Sequence, residues 1–402
     1  MKTKKEVISN HVIARRDFSP DEAISQINLQ NSQGDCFAPK GARNDVNRSA
    51  TQFSIINSQS ELVRHYPPEW SKQSCTWLSC PHNKKEWGKR LPRIREFYKD
   101  LISIILKFQD VNLILPDEGF LEPCHGMAQH RYKLKKIIIP NNDIWIRDYG
   151  PFFLEKTNKK KNKSTPLILD FQFNAWGRKF SPWDLDDNVP KEIALYKGYE
   201  IESYPMILEG GAVEFSGSGL ILTTEQCLLN KNRNPKLSKK DIEYYLKSAF
   251  NIEEVLWLKR GLEGDHTDGH IDDVARFINS KTIVICKANE KKDKNYEHLN
   301  ESIEYLKKWR HPKQGYKLKI IELPMPQKIK LKNERLPNSY SNFIFVNGGI
   351  IVPTFNCESD KEVLNIFKKL LPKRKVVSID CSLLIEEGGG LHCMTKQEPQ
   401  FP

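Results

Sequence analysis

Residues 209–225 read EGGAVEFSGSGLILTTE. A glycine-bearing lead-in, an apolar run, a Ser-Gly-Ser-Gly turn and a second apolar run form the turn chemistry of a β-hairpin. The same order recurs in RDYGPFFLEKTNKKKNKSTPLILDF (147–171), HIDDVARFINSKTIVICKA (270–288) and SNFIFVNGGIIVPTF (341–355), the last turning at Asn347-Gly348-Gly349. Apolar residues at helical spacing lie between or beside these copies, in 91–109, 237–250, 295–310 and 361–371. Copies at intervals of roughly 60–70 residues are too long for a solenoid and suit a propeller-like ring of β-rich units. The C-terminal GGGLHCMTKQEPQFP (388–402) would start a fifth unit, completed by the strand-like QSCTWLSCP (73–81) near the front. That closure would tie down a tail that otherwise frays. The expected class is α/β.

The bulk composition narrows the function. The chain has 402 residues, enough for two ordinary domains or one large one. Residues 1–60 are polar, rich in Asn, Ser and Gln, and lack a sustained period, so they read as a poorly ordered or loosely docked extension before a single catalytic domain at 61–402. Nine cysteines without paired spacing, and an N-terminus without the apolar stretch of a signal peptide, point to free thiols in the cytoplasm. No apolar run approaches the ~20 residues that cross a bilayer, so no membrane partner is expected. The net charge of +12 raises the question of nucleic acid, but it is spread thinly. Its densest run, NKKKNKS (158–164), lacks aromatics and sits inside a hairpin, which is how a solvated loop reads. No nucleic-acid partner is expected.

If each hairpin presents its leading end to a common axis, Asp148, Glu209, His270 and Asp272 converge there with Cys393. His270 and Asp272, two apart, would share one face of a strand. Gly210, Gly211, Gly269 and Gly390 would let the backbone approach a ligand. A thiol, an imidazole and several carboxylates suggest nucleophilic catalysis on an electrophilic carbon. More carboxylates than the imidazole needs imply a cationic substrate, and a planar guanidinium matches them bidentately. Taken singly, Arg-Asp-Tyr-Gly reads as a surface turn, His-x-Asp as a local pair, and glycine pairs as turn devices. The conjunction at equivalent repeat positions is what carries the inference. Metal binding is the rival use: Cys75, Cys80 and His82 have loosely zinc-like spacing that Cys124 and His125 would complete, but Trp77 and Leu78 suit a buried strand better. Glu209, His270 and Asp272 are further conceivable ligands, though a metal there would need no thiol beside it. No metal and no cofactor is expected.

The motifs PPEW…QSCTWLSCPHN, NDIWIRDYGP, FNAWGRKFSPWDLDD, LEGGAVEFSGSGLILTTEQCLLNKNRNP, DGHIDDVARFI, NFIFVNGGIIVPTF and GGGLHCMTKQEP closely resemble those of the agmatine deiminases, within the guanidine-modifying pentein superfamily. The resemblance runs from about Tyr66 to the end of the chain. It implies a five-bladed pentein propeller of pseudo-fivefold ββαβ-type repeats around an axial active site. It implies Cys393 as nucleophile, His270 as general acid/base, Asp148 and Asp272 as guanidinium-holding carboxylates, Glu209 as the acidic residue beside the histidine, and Trp145 as an aromatic wall along the substrate. The reaction implied turns agmatine and water into N-carbamoylputrescine and ammonia through a covalent thiouronium, feeding putrescine synthesis. One departure is His266 in GDHTDGHIDD, where such sequences usually carry an acidic residue. It bears on the substrate's far amine, for which Glu214 or Asp265 would have to compensate. Related peptidyl-arginine deiminases share the core motifs, so arginine in peptides is the alternative substrate. The oligomeric state stays open, a homodimer being one option.

Overall fold

The strand Leu220–Thr224 is buried along its whole length, and its alternation explains why the hairpins read as continuous apolar runs. Ile221 packs with Leu167 and Leu169, whereas Leu220 and Leu222 pack on the other side with Ile283 and Ile285. Ile168 and Val284 in turn face a third cluster. The returning strands that carry Ile168, Ile221 and Val284 therefore each separate two cores and must be apolar on both faces. Each fully buried aliphatic side chain contributes about 1.5–3 kcal/mol.

The computed structural model describes residues 62–120 and 131–402. The extension at 1–60, and Cys124 with His125 of the zinc reading, lie outside the described residues. Four ββαβ units follow one another, each an antiparallel hairpin, a helix, and a strand parallel to the returning one. The hairpins are Phe152–Asn158/Lys163–Gln172, Val213–Phe215/Leu220–Thr224, Ala275–Asn279/Thr282–Lys287 and Ile344–Val346/Gly349–Thr354. Their parallel partners are Glu200–Ile207, Glu254–Leu258, Lys319–Pro324 and Lys375–Asp380. A fifth unit joins the two ends of the described chain. Lys396–Pro399 pairs antiparallel with Gln73–Ser79, which lies parallel to Asp110–Leu115 and then Leu134–Ile138. Strand Leu62–His65 adds an antiparallel edge to Phe152–Asn158.

The helices form where the periodicity places them. In Lys239–Phe250, Ile242, Tyr245, Leu246, Ala249 and Phe250 make one buried stripe, and Ser238 with Asp241 closes a reciprocal capping box. Leu91–Ile105 buries Leu91, Ile94, Phe97, Tyr98, Leu101, Ile102 and Ile105 in the same pattern. The lysines 159–161 and 163 lie exposed at a hairpin tip, as a solvated loop does. The fourth hairpin turns through Asn347 and Gly348 alone; Gly349 already pairs with Val346. Among the described residues, no helix is long and apolar enough to cross a membrane.

Candidate active site

Every unit contributes polar groups from the short segment just before its leading strand. A single helical turn, Ile146–Tyr149, carries Asp148, with Trp145 at its N-cap. Glu209 precedes the 3-10 turn Gly210–Ala212, and His270 precedes the 3-10 turn Ile271–Asp273 that carries Asp272. His270 and Asp272 are therefore placed by a tight turn and not, as strand alternation suggested, by one face of a strand. Cys393 sits in the turn before Lys396–Pro399, and its carbonyl accepts the Arg147 N–H at 3.0 Å, joining the first and fifth segments. The fourth unit supplies Asn342, which sequence reasoning missed; the repeat itself was the signal, since Ser341-Asn342-Phe343 stands where the other units carry their polar groups.

These groups converge. Asp148, Glu209, His270, Asp272 and Cys393 are all buried, the thiol only 4% exposed. The Cys393 Sγ lies 3.4 Å from Asn342 Nδ2 and 3.8 Å from Asp272 Oδ2. His270 Nδ1 lies 3.7 Å from Asp148 Oδ1. Between them is Gly211: a Cβ there would fall 2.6 Å from His270 Nδ1, 2.8 Å from Asp148 Oδ1 and 3.0 Å from Asp272 Oδ2. Only glycine leaves that space to a ligand. Gly390 acts differently from expectation. Its missing Cβ makes room for the Asn342 side chain, and that of Gly389 for the Trp145 ring, so these glycines pack protein against protein.

Each central group is held by a second one. Asp148 accepts Gly211 N–H at 2.8 Å and the Trp176 indole N–H at 2.9 Å. Trp176 reaches it from a turn in which residues 175–178 all have positive φ, a backbone that no sequence rule for helix or strand anticipates. Glu209 Oε1 accepts from Arg233 Nε at 2.6 Å, and Arg233 also bridges Asp268. Asp272 Oδ2 faces His392 Nδ1 at 2.7 Å, and His392 Nε2 faces Glu69 Oε2 at 2.9 Å. Glu69 is bound by Arg276, which also holds Glu214.

His266 is exposed, beside Gly388, and its carbonyl accepts from Lys179. The two proposed substitutes for an acid there are already engaged. Both Glu214 oxygens are taken by Arg276 and the Phe277 N–H, and Asp265 caps the backbone N–H groups of Thr267, Gly269 and His270.

Burial pushes the Asp148 carboxyl up to about 6; His270 opposes the shift and Asp272 adds to it. Burial works against a charged His270, but Asp148, Cys227 and Asp272 outweigh it and hold the imidazole well above its ordinary value. Burial, with Asp272, Asp273 and Asp148, pushes the Cys393 thiol well up. Four buried polar atoms here have no hydrogen-bond partner: both ring nitrogens of His270, Asp272 Oδ1 and Glu209 Oε2. Each such orphan costs about 1–3 kcal/mol.

Among the described residues, two groups bring ligand-type atoms within 4.8 Å of one another: Glu209, Cys227 and His270, and Asp272, Asp273 and Cys393. Asp272 thus falls apart from Glu209 and His270. The Arg233 guanidinium on Glu209, and the Asn342 amide donating to Asp273 at 2.8 Å, already compensate part of each set. Cys75 is committed elsewhere, near Glu398 and Asn112.

Residues 65–399 match the Porphyromonas-type peptidyl-arginine deiminase family. The chain is 31% identical over 363 residues to agmatine deiminase of Medicago truncatula, covering 83% of this chain and 96% of that one. It is 30% identical over 360 residues to agmatine deiminase of Ectopseudomonas mendocina, covering 83% and 95%. Among solved structures, a substrate-bound cysteine-to-serine variant of C. jejuni agmatine deiminase superposes with a TM-score of 0.76 at 33% identity, over 84% of this chain and 97% of that one. Agmatine deiminase of Enterococcus faecalis gives 0.77 at 30%, over 84% and 96%.

Proposed function

The chain belongs to the Porphyromonas-type peptidyl-arginine deiminase family, and from that premise we propose that it is an agmatine deiminase, a hydrolase releasing ammonia from a guanidinium. The observation that carries this is the convergence of Asp148 and Asp272 on the space that Gly211 leaves beside His270, with the buried carboxylate oxygens Asp272 Oδ1 and Glu209 Oε2 lacking hydrogen-bond partners. A guanidinium is planar, always charged, and brings up to five N–H donors to carboxylates that lack them.

The same cation resolves the chemistry. In the free protein the Cys393 thiol is held protonated by burial and three carboxyl groups. A bound guanidinium cancels that field and favours the thiolate beside its own target carbon, the thiol proton passing to solvent. The thiolate adds to the carbon while Asp148 and Asp272 hold the nitrogens. His270, protonated by its acidic surroundings, gives its proton to one nitrogen, which leaves as ammonia and yields a thiouronium. His270 then takes a proton from water, whose oxygen adds to the carbon. Collapse expels the Cys393 thiolate, which takes up the hydroxyl proton to restore the thiol, and leaves the ureido product, N-carbamoylputrescine. Glu209 Oε2, unpaired beside His270, stabilises its protonated form, while Arg233 fixes the other oxygen.

The remaining proposals follow this reading. The five ββαβ sheets ring one axis as a five-bladed propeller, a placement supported by cores shared between successive hairpins. Residues 61–402 form the catalytic domain, and the described cysteines, none of them disulfide-bonded to another described one, suit the cytoplasm.

The deciding experiment is ammonia release from agmatine, free arginine and a blocked arginine peptide, with Cys393→Ser as control. Agmatine should exceed both in kcat/KM by at least ~100-fold, on the order of 3 kcal/mol of discrimination, and Cys393→Ser should be inactive while folding normally. Comparable turnover of the peptide would replace agmatine with peptidyl-arginine.

A further inference from the structure

His392 stands immediately before Cys393, and both of its ring nitrogens end on carboxylates that matter to the site. Nδ1 lies 2.7 Å from Asp272 Oδ2 and Nε2 lies 2.9 Å from Glu69 Oε2. Each contact needs a hydrogen between nitrogen and oxygen. A neutral imidazole carries one. Three buried groups must therefore share two protons between them.

Where those protons reside follows from the neighbours. Glu69 Oε2 also accepts from Arg276 at 2.6 Å, its Oε1 accepts the Phe345 N–H, and Arg147 lies 3.9 Å away. A carboxyl so surrounded stays ionised, so the hydrogen on that side belongs to Nε2. The second proton lies in the short Nδ1–Asp272 contact. The groups facing the imidazole are Asp272, Glu69, Arg147 and Arg276; the arginines and burial pull it toward neutrality, and the carboxylates pull the other way. His392 is fixed in this role by its own backbone, since its N–H donates to Asn342 Oδ1 at 2.6 Å and its carbonyl accepts from Arg147 Nε.

We infer that His392 is a positioning residue which holds a shared proton on Asp272 Oδ2, the oxygen that faces both Cys393 and the space at Gly211, so fixing that carboxylate and weakening the negative charge that Cys393 faces. Asp272 Oδ2 is the oxygen 3.8 Å from the sulfur, and Oδ1 is the one without a partner. Without the shared proton, that oxygen would carry its full charge against the thiol and raise its pKa further.

The inference rests on the deiminase reading for its kinetic part, so the test has an arm that needs no turnover. In the full chain, His392→Asn keeps an amide donor where Nδ1 stood, toward Asp272. His392→Gln reaches toward Glu69 and leaves Asp272 without one. The rate of Cys393 alkylation by iodoacetamide, read by peptide mapping across pH, should show a midpoint about one unit higher in His392→Gln than in wild type, with His392→Asn close to wild type. For agmatine, kcat should fall at least about tenfold further in Gln than in Asn, with KM changed much less. Equal midpoints in wild type and both variants would overturn the inference, as would a Gln variant closer to wild type than Asn. Inactivity of wild type on agmatine together with the shifted alkylation midpoint would overturn the substrate assignment and leave this inference standing. Should both variants fold poorly, proton NMR of 15N-histidine-labelled wild type decides. A far-downfield proton on the His392–Asp272 bond, persisting through neutral pH, is expected, and its absence refutes the shared proton.

Discussion

Substrate affinity should depend on pH through Asp148. The carboxyl sits at about 6 because it is buried, with Asp272 beside it, and a guanidinium binds its ionised form. Asp272 is held below its ordinary value: burial opposes this, but His392 and His270 outweigh it. Together with His392 it keeps one protonation state, the shared proton included, through the same range. His270 stays protonated there, so of the two guanidinium-holding carboxylates Asp148 is the one that changes charge between about pH 5 and 7. With a pKa of about 6 it is ionised in about a tenth of molecules at pH 5 and about nine-tenths at pH 7. In the inactive Cys393→Ser protein, calorimetric titration with agmatine should give a Kd about tenfold weaker at pH 5 than at pH 7. At the lower pH nearly one proton should be released per agmatine bound. A carboxyl at the ordinary ~3.9 would change Kd by under about a tenth over that window. The sign also appears in stability. The folded protein holds this proton more tightly than the unfolded chain, so the ionised carboxyl destabilises the fold. Stability is fullest below about pH 4 as far as this group goes, and falls by about 3 kcal/mol as pH rises to about 6. Agmatine should restore more melting temperature at pH 7 than at pH 5. A flat Kd from pH 5 to 7, or tighter binding in acid, would refute the role given to Asp148.

Trp176→Phe removes the indole donor from Asp148 Oδ2; the midpoint of the agmatine pH profile should move up by about one unit, the worth of one buried hydrogen bond to a charged group, and an unmoved midpoint would show the bond is not held in solution. Dialysis against a chelator should leave ammonia release intact, because each proposed step is assigned to a side chain; reactivation of a stripped enzyme by zinc or manganese would transfer the chemistry to the Glu209–Cys227–His270 group. His266→Asp should lower KM for agmatine severalfold, by adding a carboxylate where exposed His266 stands beside Gly388, and leave arginine unused. An unchanged KM would move the amine contact elsewhere.

The hairpins were legible because their returning strands are central and two-faced. Continuous apolar runs such as Leu220–Leu222, bounded by glycine turns, have few other readings. The edge strands were not. Leu134–Ile138 exposes Lys135, Lys136 and Ile138, and Leu62–His65 is short and charged. Both are strands because a neighbour's backbone pairs with them, which no local pattern encodes. Nor could periodicity show that His270 and Asp272 sit on a 3-10 turn, since a two-residue spacing fits a strand equally well.

The site was legible to one layer. Residues that touch the space below Gly211 come from equivalent positions of a repeat, so finding one suggests where the others stand; Asn342 was missed only by not following that logic into the fourth unit. The layer behind them obeys no such rule. Arg233 lies 24 positions from Glu209, Trp176 lies 28 from Asp148, and His392 lies 323 from Glu69. Yet the physical need for that layer could have been stated in advance. Several buried carboxyl groups around one thiol cannot all keep full charge and fixed orientation without partners. Arg233 leaves Glu209 Oε2 unclaimed and His392 leaves Asp272 Oδ1 unclaimed, whereas Asp148 has both oxygens engaged, by Gly211 and Trp176. The supporting residues thus do more than neutralise. At Glu209 and Asp272 they hold one oxygen of the carboxylate in place and leave the other buried and unpaired, a charge that a bound cation would complete.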